Sequence, residues 1–113
     1  MTDDDFRKLA LSLPETVEQE HHGHPDFRIG GKIFATLGPE ETWGMVKLTP
    51  EQQAVLVKTE PKAFQPIKGG WGLRGATQVI LKSASKASVR NALGLAWRNT
   101  APKKLAEIHE DDL

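Results

Sequence analysis

The chain contains no cysteine and no tyrosine. The first absence removes disulfides, thiolate nucleophiles and Cys-based zinc or iron–sulfur sites, and it suits a reducing compartment. A third absence is local: between Pro61 and Ala106 there is not one aspartate or glutamate. No run approaches the roughly 18 apolar residues that a membrane-spanning helix needs. The opening Met1-Thr2-Asp3-Asp4-Asp5 is acidic, the reverse of a secretory leader's positive start. Catalytic signatures are missing as well. There is no G-x-S-x-G elbow, no phosphate-binding G-x-x-x-x-G-K-[ST] loop and no H-E-x-x-H pair. These absences point to a cytoplasmic, non-enzymatic protein without a cofactor or resident metal.

What the chain has is segregated charge. Its formal net charge is zero over 113 residues, with 15 basic and 15 acidic side chains. Residues 1–60 hold eleven acidic against six basic residues, and the last seven positions hold four more acids. The acid-free segment carries Lys62, Lys68, Arg74, Lys82, Lys86, Arg90, Arg98, Lys103 and Lys104. Neutrality thus conceals a basic second half, which suggests an anionic partner. The length fits one domain, residues 1–113, with a single core.

Residues 3–13 read as an amphipathic helix, with Phe6, Leu9, Ala10 and Leu13 at helical spacing, Thr2 as cap and Pro14 as stop. Residues 15–25 read as polar and irregular. Phe27-Arg28-Ile29 and Lys32-Ile33-Phe34-Ala35 flank Gly30-Gly31, a two-residue hairpin turn. That turn would set Phe27 opposite Phe34 and send Arg28 to the other face. Residues 38–42 form the next turn and 43–48 a third strand. Thr49-Pro50-Glu51-Gln52 is a capping-box start for a helix ending near Thr59. An irregular link then leads to a fourth strand at 77–82. Ser83 or Ser85 caps a last helix over 86–100, closed by Pro102. The order α-β-β-β-α-β-α predicts a two-layer α+β domain, an antiparallel sheet with helices packed on one face.

Three features invite a chemical reading. Gly70-Trp71-Gly72-Leu73-Arg74-Gly75 spells G-x-G-x-x-G, but it lacks the strand before and the helix after that a dinucleotide site requires. It reads better as a turn entering the next strand, with Trp71 able to stack on a base beside Arg74 and Lys68. His21, His22 and His24 supply metal-ligand residue types without the i, i+4 spacing of a helical pair. They read as a polar loop; a metal-dependent enzyme built there is the remotest alternative. On the last helix Lys86, Arg90 and Arg98 fall within about 120° of one another at about 100° per residue, beside the apolar face. They are either a wet helix face or a phosphate-tracking stripe that Lys103 and Lys104 extend.

Several segments in order resemble the MmcQ/YjbR family of small, uncharacterised bacterial proteins. They are Leu11-Ser12-Leu13-Pro14, the hairpin Phe27–Ala35, Gly70-Trp71-Gly72 and Ala96-Trp97-Arg98-Asn99-Thr100-Ala101-Pro102-Lys103. The resemblance implies a CyaY-like α+β fold, no established activity, and DNA binding through hairpin wings. Transferred to this chain, the wing is the Gly30-Gly31 turn with Arg28 and Lys32, adjoined by Arg98 and Lys103. The residues and the resemblance together give Arg28, Lys32, Arg74, Lys82, Lys86, Arg90, Arg98, Lys103 and Lys104 as candidate nucleic-acid contacts. The partner would be nucleic acid, bound non-specifically and salt-sensitively. The competing class is a protein-interaction module pairing acidic and basic faces.

Overall fold

In the computed structural model, which describes residues 1–38, 40 and 42–110, six strands form one antiparallel sheet in the order β1-β2-β3-β4-β6-β5. The strands are β1 (Val17–His21), β2 (His24–Ile29), β3 (Lys32–Leu37), β4 (Trp43–Lys47), β5 (Phe64–Pro66) and β6 (Ala76–Ile80). The helices are α1 (Asp3–Leu11), α2 (Pro50–Thr59), α3 (Gly70–Leu73), α4 (Lys86–Thr100) and α5 (Lys103–Ile108), with a 3-10 turn at Leu81–Ser83. The α+β class and the helix layer on one face are as predicted.

The helix ends follow local chemistry. Thr2 and Thr49 each accept a bond from the third residue of their helix, whose side chain bonds back to the cap nitrogen. These reciprocal bonds satisfy amides that have no partner within the helix. Ser85, of the two serines considered, caps α4 through the Ser88 amide.

Strand alternation sorts side chains between two faces. Phe27, Ala35, Leu37, Gly44, Val46 and Val79 point to the face covered by α1 and α4. Phe6, Phe27, Phe34, Phe64 and Trp97 are all fully buried. Gly44 lets α1 come close, since a Cβ there would lie 2.8 Å from the Phe6 ring. The Trp97 indole nitrogen donates to the Pro14 carbonyl at 2.9 Å, tying α4 to the chain after α1. Beyond Pro102, α5 brings the His109 ring edge-on to Trp97.

Several sequence expectations are corrected. Residues 15–25 are not irregular: they hold β1 and the start of β2, joined by a two-residue turn at His22-Gly23 with φ of 49° and 79°. Phe27 faces Ala35, not Phe34, because a bulge in β3 inserts one extra residue. Phe34 and Ala35 are therefore both buried, which strict alternation forbids. The expected irregular link contains β5 and α3, so Gly70-Trp71-Gly72 opens a short helix and is not a turn. The fourth predicted strand ends at Ile80, placing Lys82 in the 3-10 turn. The predicted 38–42 turn falls partly on Pro39 and Glu41, outside the described residues.

Candidate nucleic-acid interface on the uncovered sheet face

The sheet face away from α1 and α4 carries what alternation sends there: Gln19, His21, Asp26, Arg28, Thr36, Trp43, Met45, Lys47, Gln78 and Ile80. Three recesses lie on it and share Trp43. The largest, about 720 Å3, runs from His21 and His22 at the β1–β2 turn past Thr36, Met45 and Lys47 to Trp71 and Arg74 of the α3 segment. The other two, about 470 Å3 each, add Lys82 with Met1 and Lys68 with Gln65. No acidic side chain lines any of the three among the described residues. The face is thus an aromatic and aliphatic floor edged by Lys47, Lys68, Arg74 and Lys82.

Trp71 is the most exposed aromatic ring, at 65% of its full accessibility. The Arg74 guanidinium sits 5.7 Å from its centroid, a cation–π pair that holds both side chains at the groove's edge. Trp43 owes its position to Gly38. A Cβ at that glycine would lie 2.2 Å from the indole, so the ring lies directly on backbone.

At the other end of the groove Asp26 is fully buried. Arg28 donates to it twice, from Nε to Oδ1 at 2.8 Å and from Nη2 to Oδ2 at 3.0 Å. His21 Nδ1 meets Oδ2 at 2.7 Å. The Arg28 hydrogen bonds hold the Asp26 carboxyl below the usual carboxylate range against the opposing effect of burial, with His21 assisting. The same contact raises Arg28 above its ordinary value.

The nine predicted contacts do not form one surface. Arg28 is on the open face but committed to Asp26. Arg74 and Lys82 line the recesses. Lys32 is exposed at the β2–β3 turn, whose Gly30 lies against Pro102: a Cβ there would be 2.7 Å from the proline Cγ. That contact gathers Lys32 with the start of α5, where Lys103 and Lys104 are exposed. Lys86, Arg90 and Arg98 belong to α4, in the layer on the opposite side of the sheet. Lys86 lies 3.8 Å from Asp5. The sequence reading missed Trp43 and Lys47. The alternation Trp43-x-Met45-x-Lys47 was the available signal, since it puts three large side chains on one face. It also missed the His21–Asp26 contact, which needs the β1–β2 hairpin.

Helices on one face of a six-stranded antiparallel sheet, with recesses edged by Lys47, Lys68, Arg74 and Lys82 on the other, define a small two-layer α+β domain with an open sheet. The YjbR family model matches residues 11–99, and the chain belongs to that family. No curated protein matches it. Among solved structures it is similar to the crystal structure of Deinococcus radiodurans protein DR2400, described as having a DUF419 domain. That similarity has a TM-score of 0.75 and 16% identity over 98% of this chain and 86% of that one. At that identity the likeness speaks to the fold. None of the helices among the described residues is long and apolar enough to cross a membrane.

Proposed function

We propose that this protein is a non-enzymatic cytoplasmic domain that binds nucleic acid, and that it takes a single strand across the uncovered sheet face. The observation that carries the reading is the set of three contiguous recesses sharing Trp43, edged by Lys47, Lys68, Arg74 and Lys82 and free of acidic lining among the described residues. Single-stranded nucleic acid needs two things that this face offers: flat rings for bases and spaced cations for phosphates. Trp71 supplies an exposed ring whose cationic partner stands beside it. From β2 to β6 is three strand spacings, about 14 Å, a width that suits a few unstacked nucleotides better than the breadth of a duplex. Lys32, Lys103 and Lys104, gathered around Pro102, extend the positive charge at one end of the sheet. The hairpin wing thus contributes its tip, while Arg28 serves to hold Asp26.

The test is fluorescence anisotropy with labelled oligothymidylate and, in parallel, a labelled duplex. At about 50 mM salt, where non-specific binding is strong, the single strand is expected to bind, and more tightly than the duplex. Three to four neutralised phosphates give a log–log salt slope of about −2 to −3. Absence of binding by either probe at that salt would reject the reading. Preference for the duplex would return attention to the α4 stripe of Lys86, Arg90 and Arg98.

A further inference from the structure

The His21–Asp26–Arg28 cluster is more than a structural ion pair. Its carboxylate is already matched by one guanidinium, which bonds both of its oxygens. With His21 neutral, the three groups sum to zero charge. With His21 protonated, they carry one positive charge at the end of the groove. Because Nδ1 points to Asp26 Oδ2 at 2.7 Å, the neutral ring keeps its proton there and presents Nε2 as an acceptor. The ring is 39% exposed and lines the groove. While Nδ1 donates to Asp26, only the protonated ring can also donate from Nε2 to a phosphate oxygen.

Resting on the nucleic-acid reading above, we infer that His21 is a proton-coupled phosphodiester contact: a phosphate at the hairpin end of the groove draws a proton onto Nε2, so binding takes up a proton. The phosphodiester does not itself titrate between pH 5.5 and 8, so the proton is taken up by the protein. The other charged or titratable groups around this end are few. His22 follows His21 in the turn, with ring centroids 5.9 Å apart, and His24 faces it on β2 at 6.3 Å. Asp26 and Arg28 come from β2, and farther along the groove lie Lys47 of β4 and, at its opposite end, Arg74 of the α3 segment. Asp26, held below the usual carboxylate range, and Arg28, raised above its ordinary value, both keep their charges between pH 5.5 and 8. His21 is distinguished by the buried carboxylate that fixes its ring. Its φ-strained neighbour His22, at +49°, occupies the turn that aims both rings at the groove.

The sign follows from linkage. A group whose pKa is higher in the complex strengthens binding as pH falls through the complex value, and the gain levels off below the value of the free protein. The experiment measures the dissociation constant of an oligothymidylate octamer from pH 8 to 5.5 at fixed ionic strength. The wild type is compared with His21→Asn, whose amide nitrogen can still donate to Asp26 but cannot take up a proton. The wild type is expected to bind about tenfold more tightly at pH 5.5 than at pH 8. His21→Asn is expected to lose most of the gain between pH 8 and pH 5.5, whatever its affinity at pH 8. The paired His22→Asn/His24→Asn variant is expected to retain it. An octamer that binds with pH-independent affinity would overturn this inference and leave the nucleic-acid reading standing. A gain that survives in His21→Asn would do the same. Absence of octamer binding at every pH would overturn both. Imidazole NMR titration of the folded variants with and without octamer locates the proton directly.

Discussion

The two faces of the sheet solve opposite problems with the same strands. On the covered face the residues are apolar and large, and their order comes from burial: Phe6, Phe27, Phe34 and Trp97 have no exposed area. On the open face the same strands carry Asp26, Arg28, Thr36, Lys47 and Gln78, and order comes from directed bonds such as the Arg28–Asp26 pair. A face stabilised by burial must be filled and has no room for a ligand. A face held by paired polar groups and backed by a finished core can stay uncovered, as a binding surface must. The contrast explains why fold and candidate function separate so cleanly onto the two sides.

The largest expected effect lies on the covered side. Trp97→Ala should cost about 3–5 kcal/mol in urea unfolding, from the lost ring and the unfilled cavity. Trp97→Phe should cost less but still leave the Pro14 carbonyl without its donor. Loss of the covered face is thus expected to abolish the fold's cooperativity before it alters the groove.

Asp26→Ala comes next, at about 2–3 kcal/mol, because Arg28 is left without its acceptor but can turn partly toward water. The pH dependence has a defined sign. Asp26 has a folded-state pKa below its ordinary value of 3.8, so its contribution is complete above that value and is lost as pH falls through the lower folded one. Acid unfolding of the Asp26→Asn variant should lack that component and show a flatter stability profile below about pH 4.

Trp71→Ala should invert the pattern. Exposed as it is, its loss should change stability by no more than about 0.5 kcal/mol. Its affinity for a single-stranded oligonucleotide should fall by about 1–3 kcal/mol, the value of one stacked base. A Trp71→Ala protein that binds unchanged would remove the stacking platform from the open face. The smallest effect is expected at Thr49→Ala, where loss of the capping-box bond to Gln52 should cost about 1 kcal/mol and leave both faces unaltered.

The covered face was largely legible in the sequence. Its helices carry caps and apolar spacing, and α4 reads from Ser85 to Thr100 as it folds. The Gly30-Gly31 turn was equally plain, with φ of 59° and 80° that tight hairpins require. The open face was harder to see for three reasons. β1 is an edge strand whose Val17-Glu18-Gln19-Glu20 are exposed, so no alternation marks it. The β3 bulge defeats register counting at Phe34. Charge counted along the chain does not report which side of a sheet it occupies. Lys82 and Arg74 fall on one side and Arg90 and Arg98 on the other, although all four come from one acid-free segment. The β4 alternation did encode Trp43, Met45 and Lys47 as a shared face, but only the fold shows that neither α1 nor α4 packs on it and that, among the described residues, recesses open there.

The most direct measurement is a backbone and side-chain NMR titration with oligothymidylate. Ligand-dependent shifts are expected at the Trp43 and Trp71 indoles, Thr36, Lys47, Arg74 and His21, with α4 unmoved. Shifts concentrated instead at Lys86, Arg90 and Arg98, with both indoles silent, would contradict the assignment of binding to the uncovered face.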